Sequence, residues 1–222
     1  MKTSLMMLVA ASALGFSCSR PAPAVVPAKP VETMNPTEFN PAHPTEIADL
    51  GGGCFWCMEA VFERLPGVLK VTSGFAGGTT ENPTYRDVCT ETTGHAEVTE
   101  IEFDPAKISY AKLLEVFWQA HDPTTLNRQG ADEGTSYRSI ILYRDEKQRL
   151  LAEKSRLAAQ ADFHNPIVTE IVPLKKFYPA EDYHQQYYDN NSSAGYCQVV
   201  IAPKLDKLER KKVIAETPQV PR

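Results

Sequence analysis

A cysteine that directly follows three glycines is the residue in this sequence best placed to do chemistry. Cys54 comes after the glycines at 51–53, and an apolar stripe with helical spacing begins at Phe55. A thiol at a helix N-terminus lies at the positive end of the helix dipole, so we expect its pKa to fall below the free value of about 8.5. Phe55 and Trp56 would then give this thiol an apolar wall for a small hydrophobic group.

A second thiol, Cys57, lies three residues later and makes the segment a CxxC. This spacing at a helix start permits a disulfide and is common in dithiol oxidoreductases, and it can also supply half of a zinc site. The sequence has no second CxxC and no histidine pair with matching spacing. We therefore expect redox chemistry with no metal and no cofactor.

The elements that must position Cys54 alternate between strands and helices. Apolar alternation and strand-forming residues predict strands at 45–51, 68–76, 95–103, 136–143 and 167–172. Helical spacing predicts helices at 54–64, 109–120, 145–163, 181–190 and 204–215, with long loops at 79–94 and 121–135. Several strands alternate in polarity, which favours a half-exposed sheet. The predicted fold is α+β: a two-layer α/β sandwich around a mixed or antiparallel sheet with long loops.

Composition excludes several classes of protein. The chain has 222 residues with 42% hydrophobic residues, enough to bury one sizeable core. Its formal net charge of −5 argues against a nucleic-acid-binding protein, which usually has a basic excess. Five cysteines are too few for a disulfide-dense scaffold, and the odd number leaves one without an intramolecular partner. Nothing in the sequence requires more than a monomer.

The N-terminal segment predicts export. Residues 1–17 combine Lys2 with a short apolar run and are interpreted as a signal peptide. Cleavage before Cys18 would make it a lipid-attachment site and a membrane tether, whereas cleavage near Ala13 would give a freely secreted form. Residues 18–44 are proline-rich and typical of a stiff, extended tether. We expect a catalytic domain at 45–215, a disordered tail at 216–222 and a location in the cell envelope, periplasmic or lipid-anchored.

Four ordered blocks of sequence resemble the peptide-methionine (S)-S-oxide reductases, the A-type methionine sulfoxide reductases. They read GCFWCMEAVF, SGFAGGTTENPTYRDVCTETTGHAEVTEIEFDP, FWQAHDPTTLNRQGADEGTSYRSIILY and FYPAEDYHQQYY. The resemblance spans roughly residues 47–201. It implies reduction of the S epimer of methionine sulfoxide, free or in oxidised proteins and peptides, and hence protein repair.

The resemblance implies a role for each residue that matches a family motif. Cys54 would be the nucleophile that attacks the sulfoxide sulfur, and Phe55 and Trp56 would form the pocket for the ε-methyl group. Glu97 would protonate the sulfoxide oxygen, which requires a carboxyl group that still carries its proton near neutral pH. The strand pattern alone favours an outward-facing Glu97, so this role depends on the resemblance.

Three more residues complete the site that the resemblance implies. Tyr85 and Tyr137 would donate hydroxyl hydrogen bonds to the sulfoxide oxygen, and Asp132 would be a hydrogen-bonding partner in the same site. By residue type alone, the two tyrosines would more often be packing residues.

Attack by Cys54 would leave a sulfenic acid, which a second thiol must convert to a disulfide. Cys197 follows the polar stretch NNSSAG, expected to be flexible, and is favoured because family members use tail cysteines. Cys57, one helical turn from Cys54, is the alternative, and Cys89 is the least favoured. A thioredoxin-like donor would then reduce the disulfide. Two other functions stay open on sequence alone: a dithiol–disulfide oxidoreductase built on the CxxC, and a non-catalytic envelope lipoprotein.

Overall fold

The computed structural model describes residues 45–215, which hold the predicted catalytic domain. The predicted signal peptide at 1–17, the tether at 18–44 with Cys18, and the tail at 216–222 lie outside the described residues. Within 45–215, no helix is both long enough and apolar enough to cross a membrane.

A six-stranded mixed sheet forms the centre of the fold. Its strands are β1 (Glu46–Gly52), β2 (Val68–Ala76), β3 (Ala96–Phe103), β6 (Ser139–Tyr143), β7 (Glu170–Pro173) and β8 (Phe177–Pro179), in the spatial order β7-β6-β1-β3-β2-β8. Only β6 and β7 pair in parallel, and the other neighbours are antiparallel. A separate hairpin consists of β4 (Arg128–Gln129) and β5 (Asp132–Glu133). The predicted α+β fold with a mixed sheet is confirmed.

The helices are short, apart from two that carry clear apolar stripes. They are α1 (Phe55–Phe62), α2 (Tyr85–Val88), α3 (Tyr110–Ala120), α4 (Glu146–Ala159), α5 (Tyr187–Asn190) and α6 (Ala202–Arg210). Ser109 caps α3 and Asp145 caps α4, and in each case the side-chain oxygen accepts a backbone N–H in the first turn. Buried residues of α1, α3 and α6 share one large core cluster with β1, β2 and β3.

The two faces of the sheet are unequal, and this decides which way Glu97 points. Ala96 and Val98 of β3 belong to a small cluster on one face, together with Ile140 and Leu142. The residue between them, Glu97, faces the opposite side, where α1 packs. The period-2 alternation of a strand therefore places a carboxyl group in the larger core, beside the start of α1.

The structure differs from the sequence-based elements mainly in the loops. The predicted loop at 79–94 contains α2, whose start is fixed by a capping box between Thr84 and Asp87. The loop at 121–135 contains the β4–β5 hairpin, and the predicted strand at 136–143 begins with a 3-10 turn, Thr135–Tyr137. The predicted helix at 181–190 is two short pieces, a 3-10 turn at Asp182–His184 and α5. β8 was not predicted, because three residues are too short for an alternation signal.

Candidate active site

Cys54 lies where β1 turns into α1. Its residue position is the N-cap of α1, as the sequence predicts. The turn depends on Gly53, whose φ of +92° lies in the left-handed region that favours glycine. A Cβ atom there would also stand 2.5 Å from Cγ of Gln129, so the β4–β5 hairpin approaches the thiol closely only because residue 53 has no side chain.

The predicted fall in the pKa of Cys54 is wrong. The residue is only 7% exposed, and burial raises the pKa of its thiol well above the usual range. A hydrogen bond with Cys57 and the nearby carboxyl group of Glu97 raise it further. The helix N-terminus is present, but desolvation of the thiolate outweighs the attraction of the dipole in so buried a site.

Cys57 forms a hydrogen-bonded thiol pair with Cys54. The hydrogen bond from Cys54 lowers the pKa of Cys57 to about 7, against the opposing effect of burial, and Lys204 lowers it further. The pair therefore titrates as a unit: the first proton leaves near neutral pH, and the second is held. Among residues 45–215, no group of three or more His, Cys, Asp or Glu side chains could hold a metal ion, so the CxxC has no further ligands there.

Glu97 is buried directly beside the nucleophile. One carboxyl oxygen, Oε2, accepts a hydrogen bond of 2.9 Å from the backbone N–H of Phe55, the first residue of α1. Burial raises the pKa of Glu97 to about 8, although the Phe55 N–H acts in the opposite direction. The nearby Asp132 and Cys57 raise it further. This carboxyl group thus carries its proton at neutral pH, the state that an acid at this position needs.

Tyr85 and Tyr137 bring two hydroxyl groups to the same region. Tyr85 is the first residue of α2, and Tyr137 ends the 3-10 turn before β6. Burial raises the pKa of both phenols well above the usual range, and the charge of Glu97 contributes in each case. Both hydroxyls therefore remain hydrogen-bond donors throughout the pH range of a folded protein.

Phe55 and Trp56 form part of a larger aromatic cluster. The Trp56 ring stacks on Tyr187 with 3.7 Å between centroids and 8° between planes. Its Nε1–H donates to Nδ1 of His184, at 3.2 Å, which fixes His184 in the tautomer with a proton on Nε2. Phe55 packs against Tyr85 and His184. The cluster is an apolar wall suited to a methyl group.

Two residues of this site are not predicted from the sequence: Tyr196, and His184 as a partner of Trp56. The Tyr196 hydroxyl donates to Oδ2 of Asp132 at 2.8 Å and lies 3.7 Å from the Cys57 sulfur. It also hydrogen-bonds the Cys54 thiol. Asp132 thus reaches the site through Tyr196. The only sequence signal for Tyr196 is its position next to Cys197, a candidate resolving cysteine. Nothing in the sequence pattern predicts that the segment around Tyr196 lies over the thiols of Cys54 and Cys57.

The two remaining cysteines differ in burial. Cys197 is fully buried and begins a π-helical turn, Cys197–Ile201, that continues into α6. Cys197 thus lies in a helical, packed turn, whereas most of the NNSSAG stretch before it is turn rather than helix. Cys197 interacts electrostatically with Cys57. Cys89 is exposed and hydrogen-bonds the hydroxyl of Tyr85.

Comparison with known proteins points to one family. The sequence model of the family described as peptide methionine sulfoxide reductase matches residues 46–217. Two proteins with the description "Peptide methionine sulfoxide reductase MsrA", from Saccharolobus solfataricus and Leptospira borgpetersenii, are 55% and 56% identical to this chain over 162 residues. Each alignment covers 73% of this chain and 92% of the relative.

Solved structures give the same result. Mxr1 from Saccharomyces cerevisiae in its reduced form has a TM-score of 0.67 and 33% identity, covering 72% of this chain and 92% of its own. Methionine sulfoxide reductase A of Corynebacterium diphtheriae has a TM-score of 0.63 and 40% identity, covering 70% and 79%.

Proposed function

We propose that this chain, which belongs to the peptide methionine sulfoxide reductase family, reduces the S epimer of methionine sulfoxide, either free or in proteins and peptides. The observation that carries this proposal is a buried, protonated carboxyl group, Glu97, held on the first backbone N–H of the helix that Cys54 caps. A sulfoxide oxygen is a poor leaving group, and an acid beside a thiol is what its reduction needs. The activity repairs proteins after oxidation.

The first step uses the shared proton of the thiol pair. Near neutral pH the pair carries one proton, since the pKa of Cys57 is about 7. Movement of that proton onto Cys57 leaves Cys54 as the thiolate. Cys54 then attacks the sulfoxide sulfur while Glu97 gives its proton to the oxygen. The protonated oxygen then passes from the substrate sulfur to the sulfur of Cys54 as the new sulfur–sulfur bond breaks, which leaves Cys54 as a sulfenic acid and methionine with its sulfur reduced.

Hydrogen-bond donors and aromatic rings hold the substrate for this attack. The hydroxyls of Tyr85 and Tyr137 would donate to the sulfoxide oxygen as its negative charge develops. Phe55 and Trp56 would hold the ε-methyl group. Asp132 would act through Tyr196. Its carboxylate accepts a hydrogen bond from the Tyr196 hydroxyl, and that hydroxyl contacts both thiols.

The second step converts the sulfenic acid to a disulfide with loss of water. Cys57 already shares a hydrogen bond with Cys54, and residues three apart at a helix start have the Cα separation that a disulfide requires. Cys197 would have to leave a packed helical turn first. We therefore assign resolution to Cys57 and a later exchange to Cys197, which lies within electrostatic reach of Cys57. This proposed order is the reverse of the one that the sequence favours.

The disulfide would be reduced by a thioredoxin-like dithiol donor, which is itself oxidised to a disulfide. The chain would work as a monomer in the cell envelope. Support for this location is the signal-peptide pattern of residues 1–17 and the proline-rich tether at 18–44. Acylation of Cys18 would tether the enzyme to the membrane, and cleavage near Ala13 would release it. The acidic net charge of −5 supports protein rather than nucleic acid as the partner.

A single-turnover assay tests this function. The reduced protein is mixed with peptides that carry either the S or the R epimer, methionine is quantified, and disulfides are mapped by mass spectrometry. We expect about one methionine per chain from the S epimer alone, with a Cys54–Cys57 bridge. Cys54→Ser should release none. Equal turnover by Cys54→Ser would refute the mechanism.

A further inference from the structure

Glu91 has a backbone conformation that is unusual for its residue type. Its φ of +60° lies in the left-handed region, which costs free energy for any residue with a Cβ atom. It lies three residues after the last residue of α2, Val88, and its backbone N–H donates to the carbonyl of that residue. A glutamate kept in a strained position calls for a role for its side chain.

That side chain makes three hydrogen bonds to a single turn. Oε2 accepts the Thr135 hydroxyl at 2.6 Å and the Ser136 backbone N–H at 3.1 Å, and Oε1 accepts the Ser136 hydroxyl at 2.6 Å. The approach depends on Gly134, where a Cβ atom would stand 2.4 Å from Oε1 of Glu91. The carboxylate therefore closes the free N-terminal end of the 3-10 turn Thr135–Tyr137.

The turn that Glu91 holds ends in Tyr137. Arg138 provides a second tie between the same two loops, since its guanidinium donates to the carbonyls of Gly94 and Thr135. We propose that Glu91 is a positioning residue that fixes the Tyr137 hydroxyl on the oxygen side of the active site. The proposal rests on the proposed function, in which that hydroxyl donates to the sulfoxide oxygen.

The negative charge of Glu91 has a second effect, on the acid Glu97. The charged and titratable groups that face Glu97 are Asp132 from the hairpin, the two thiols at the start of α1, and Tyr85 and Tyr137. Glu91 adds to the negative charges that raise the pKa of Glu97. The geometric and electrostatic roles of one carboxylate can be separated, because glutamine keeps the shape but not the charge. Its amide oxygen can still accept from the Thr135 hydroxyl and the Ser136 backbone N–H, and its NH₂ group can donate to the Ser136 hydroxyl once that hydroxyl turns.

The geometric role is tested by a double-mutant cycle in the single-turnover assay. Glu91→Gly relieves the strained backbone and removes the carboxylate, and Glu91→Asn keeps a residue that tolerates the left-handed region but cannot span to Ser136. We expect each to slow methionine release about 10-fold or more, the scale of a misplaced oxyanion donor. In a Tyr137→Phe background the same changes should cost nothing further, because the hydroxyl they position is already gone.

The electrostatic role is tested by Glu91→Gln, with Glu133→Gln on the neighbouring hairpin as the matched loss of an exposed carboxylate. We expect the Glu91→Gln variant to follow wild type on the acid limb of the pH–rate profile, where the thiol pair titrates. On the alkaline limb, where Glu97 titrates, its activity should fall at lower pH than that of wild type. The Glu133→Gln profile should follow wild type. The inference is overturned if Glu91→Gly and Glu91→Asn react at the wild-type rate, or if their losses add to that of Tyr137→Phe. A wild-type protein that releases no methionine would instead refute the proposed function itself.

Discussion

Replacement of Glu97 by glutamine should lower the activity of the protein and raise the stability of its folded state. Glu97 is 3% exposed, and burial raises its pKa from the ordinary 4.5 to about 8. In the unfolded chain the group ionises at lower pH, and this ionisation stabilises the unfolded state relative to the folded one. The destabilisation is absent below pH 4.5, grows as pH rises towards 8 and is constant above that. From the slope of about 1.4 kcal/mol per pH unit, the loss is about 3 kcal/mol at pH 7 and about 5 kcal/mol at pH 9.

Glutamine cannot ionise, so the variant avoids this loss. Its carbonyl oxygen can still accept the backbone N–H of Phe55. We expect the free energy of unfolding of Glu97→Gln to exceed that of its parent by an amount that increases with pH, because the variant avoids the pH-dependent loss described above. The burial of the amide NH₂ group subtracts a cost that does not change with pH. Urea unfolding at pH 4.5, 6, 7 and 8.5 measures it, in a Cys54→Ser background so that the thiol does not titrate. Glu102→Gln on the same strand is the matched carboxylate loss.

The same substitution in the active enzyme should slow the first turnover by about 100-fold or more, the usual contribution of a general acid. Wild-type activity should fall as pH rises through about 8, because Glu97 then loses its proton. A stability difference between Glu97→Gln and its parent that stays the same from pH 4.5 to pH 8.5 would show an ordinary carboxyl pKa. The proton donor of the first step would then have to be another group.

Two further substitutions test other parts of the electrostatic argument. Cys57→Ser removes the acceptor of the Cys54 proton, so the acid limb of the pH–rate profile for the first turnover should move to higher pH. The sulfenic acid on Cys54 should also persist long enough to be trapped by dimedone. An unchanged profile with rapid disulfide formation would instead assign the resolving role to Cys197. Arg144→Met removes the ion pair with the fully buried Asp49, whose pKa burial raises to about 6 despite that pair. Only the ionised form of Asp49 depends strongly on Arg144, so the loss of stability in urea unfolding should be larger at pH 8 than at pH 4.5. An equal loss at both pH values would contradict the raised pKa of Asp49.

The parts of the site that the sequence predicted are those fixed by local rules. Glycines followed by an amphipathic stripe predicted the strand, turn and helix that hold Cys54. The alternation of β3 placed Ala96 and Val98 on one face and so left Glu97 on the other. Whether that other face was solvent or core depended on where α1 packs, which no local pattern decides. The resemblance to known reductases supplied that answer.

The parts that could not be predicted depend on contacts between distant loops. Tyr196 reaches Asp132 across 64 positions of sequence, and Trp56 reaches His184 across 128. The prediction of a lowered pKa for Cys54 is wrong for a related reason. The helix dipole is a local feature that the sequence reveals, whereas burial and a hydrogen-bonded neighbour are tertiary features, and these are the larger effects here.

The protons held by the reduced site match those that the reaction consumes. Near neutral pH one proton lies on Glu97 and one is shared by the thiol pair. Sulfenic acid formation takes the proton of Glu97, and disulfide formation takes the one that moved to Cys57, so that the sulfoxide oxygen leaves as water. Each negative charge in the site raises the pKa of Glu97, as Asp132 and Cys57 do. Burial of Glu97, with the neighbouring acidic groups adding to its effect, therefore stores the proton that the first step requires, although both are unfavourable for folding.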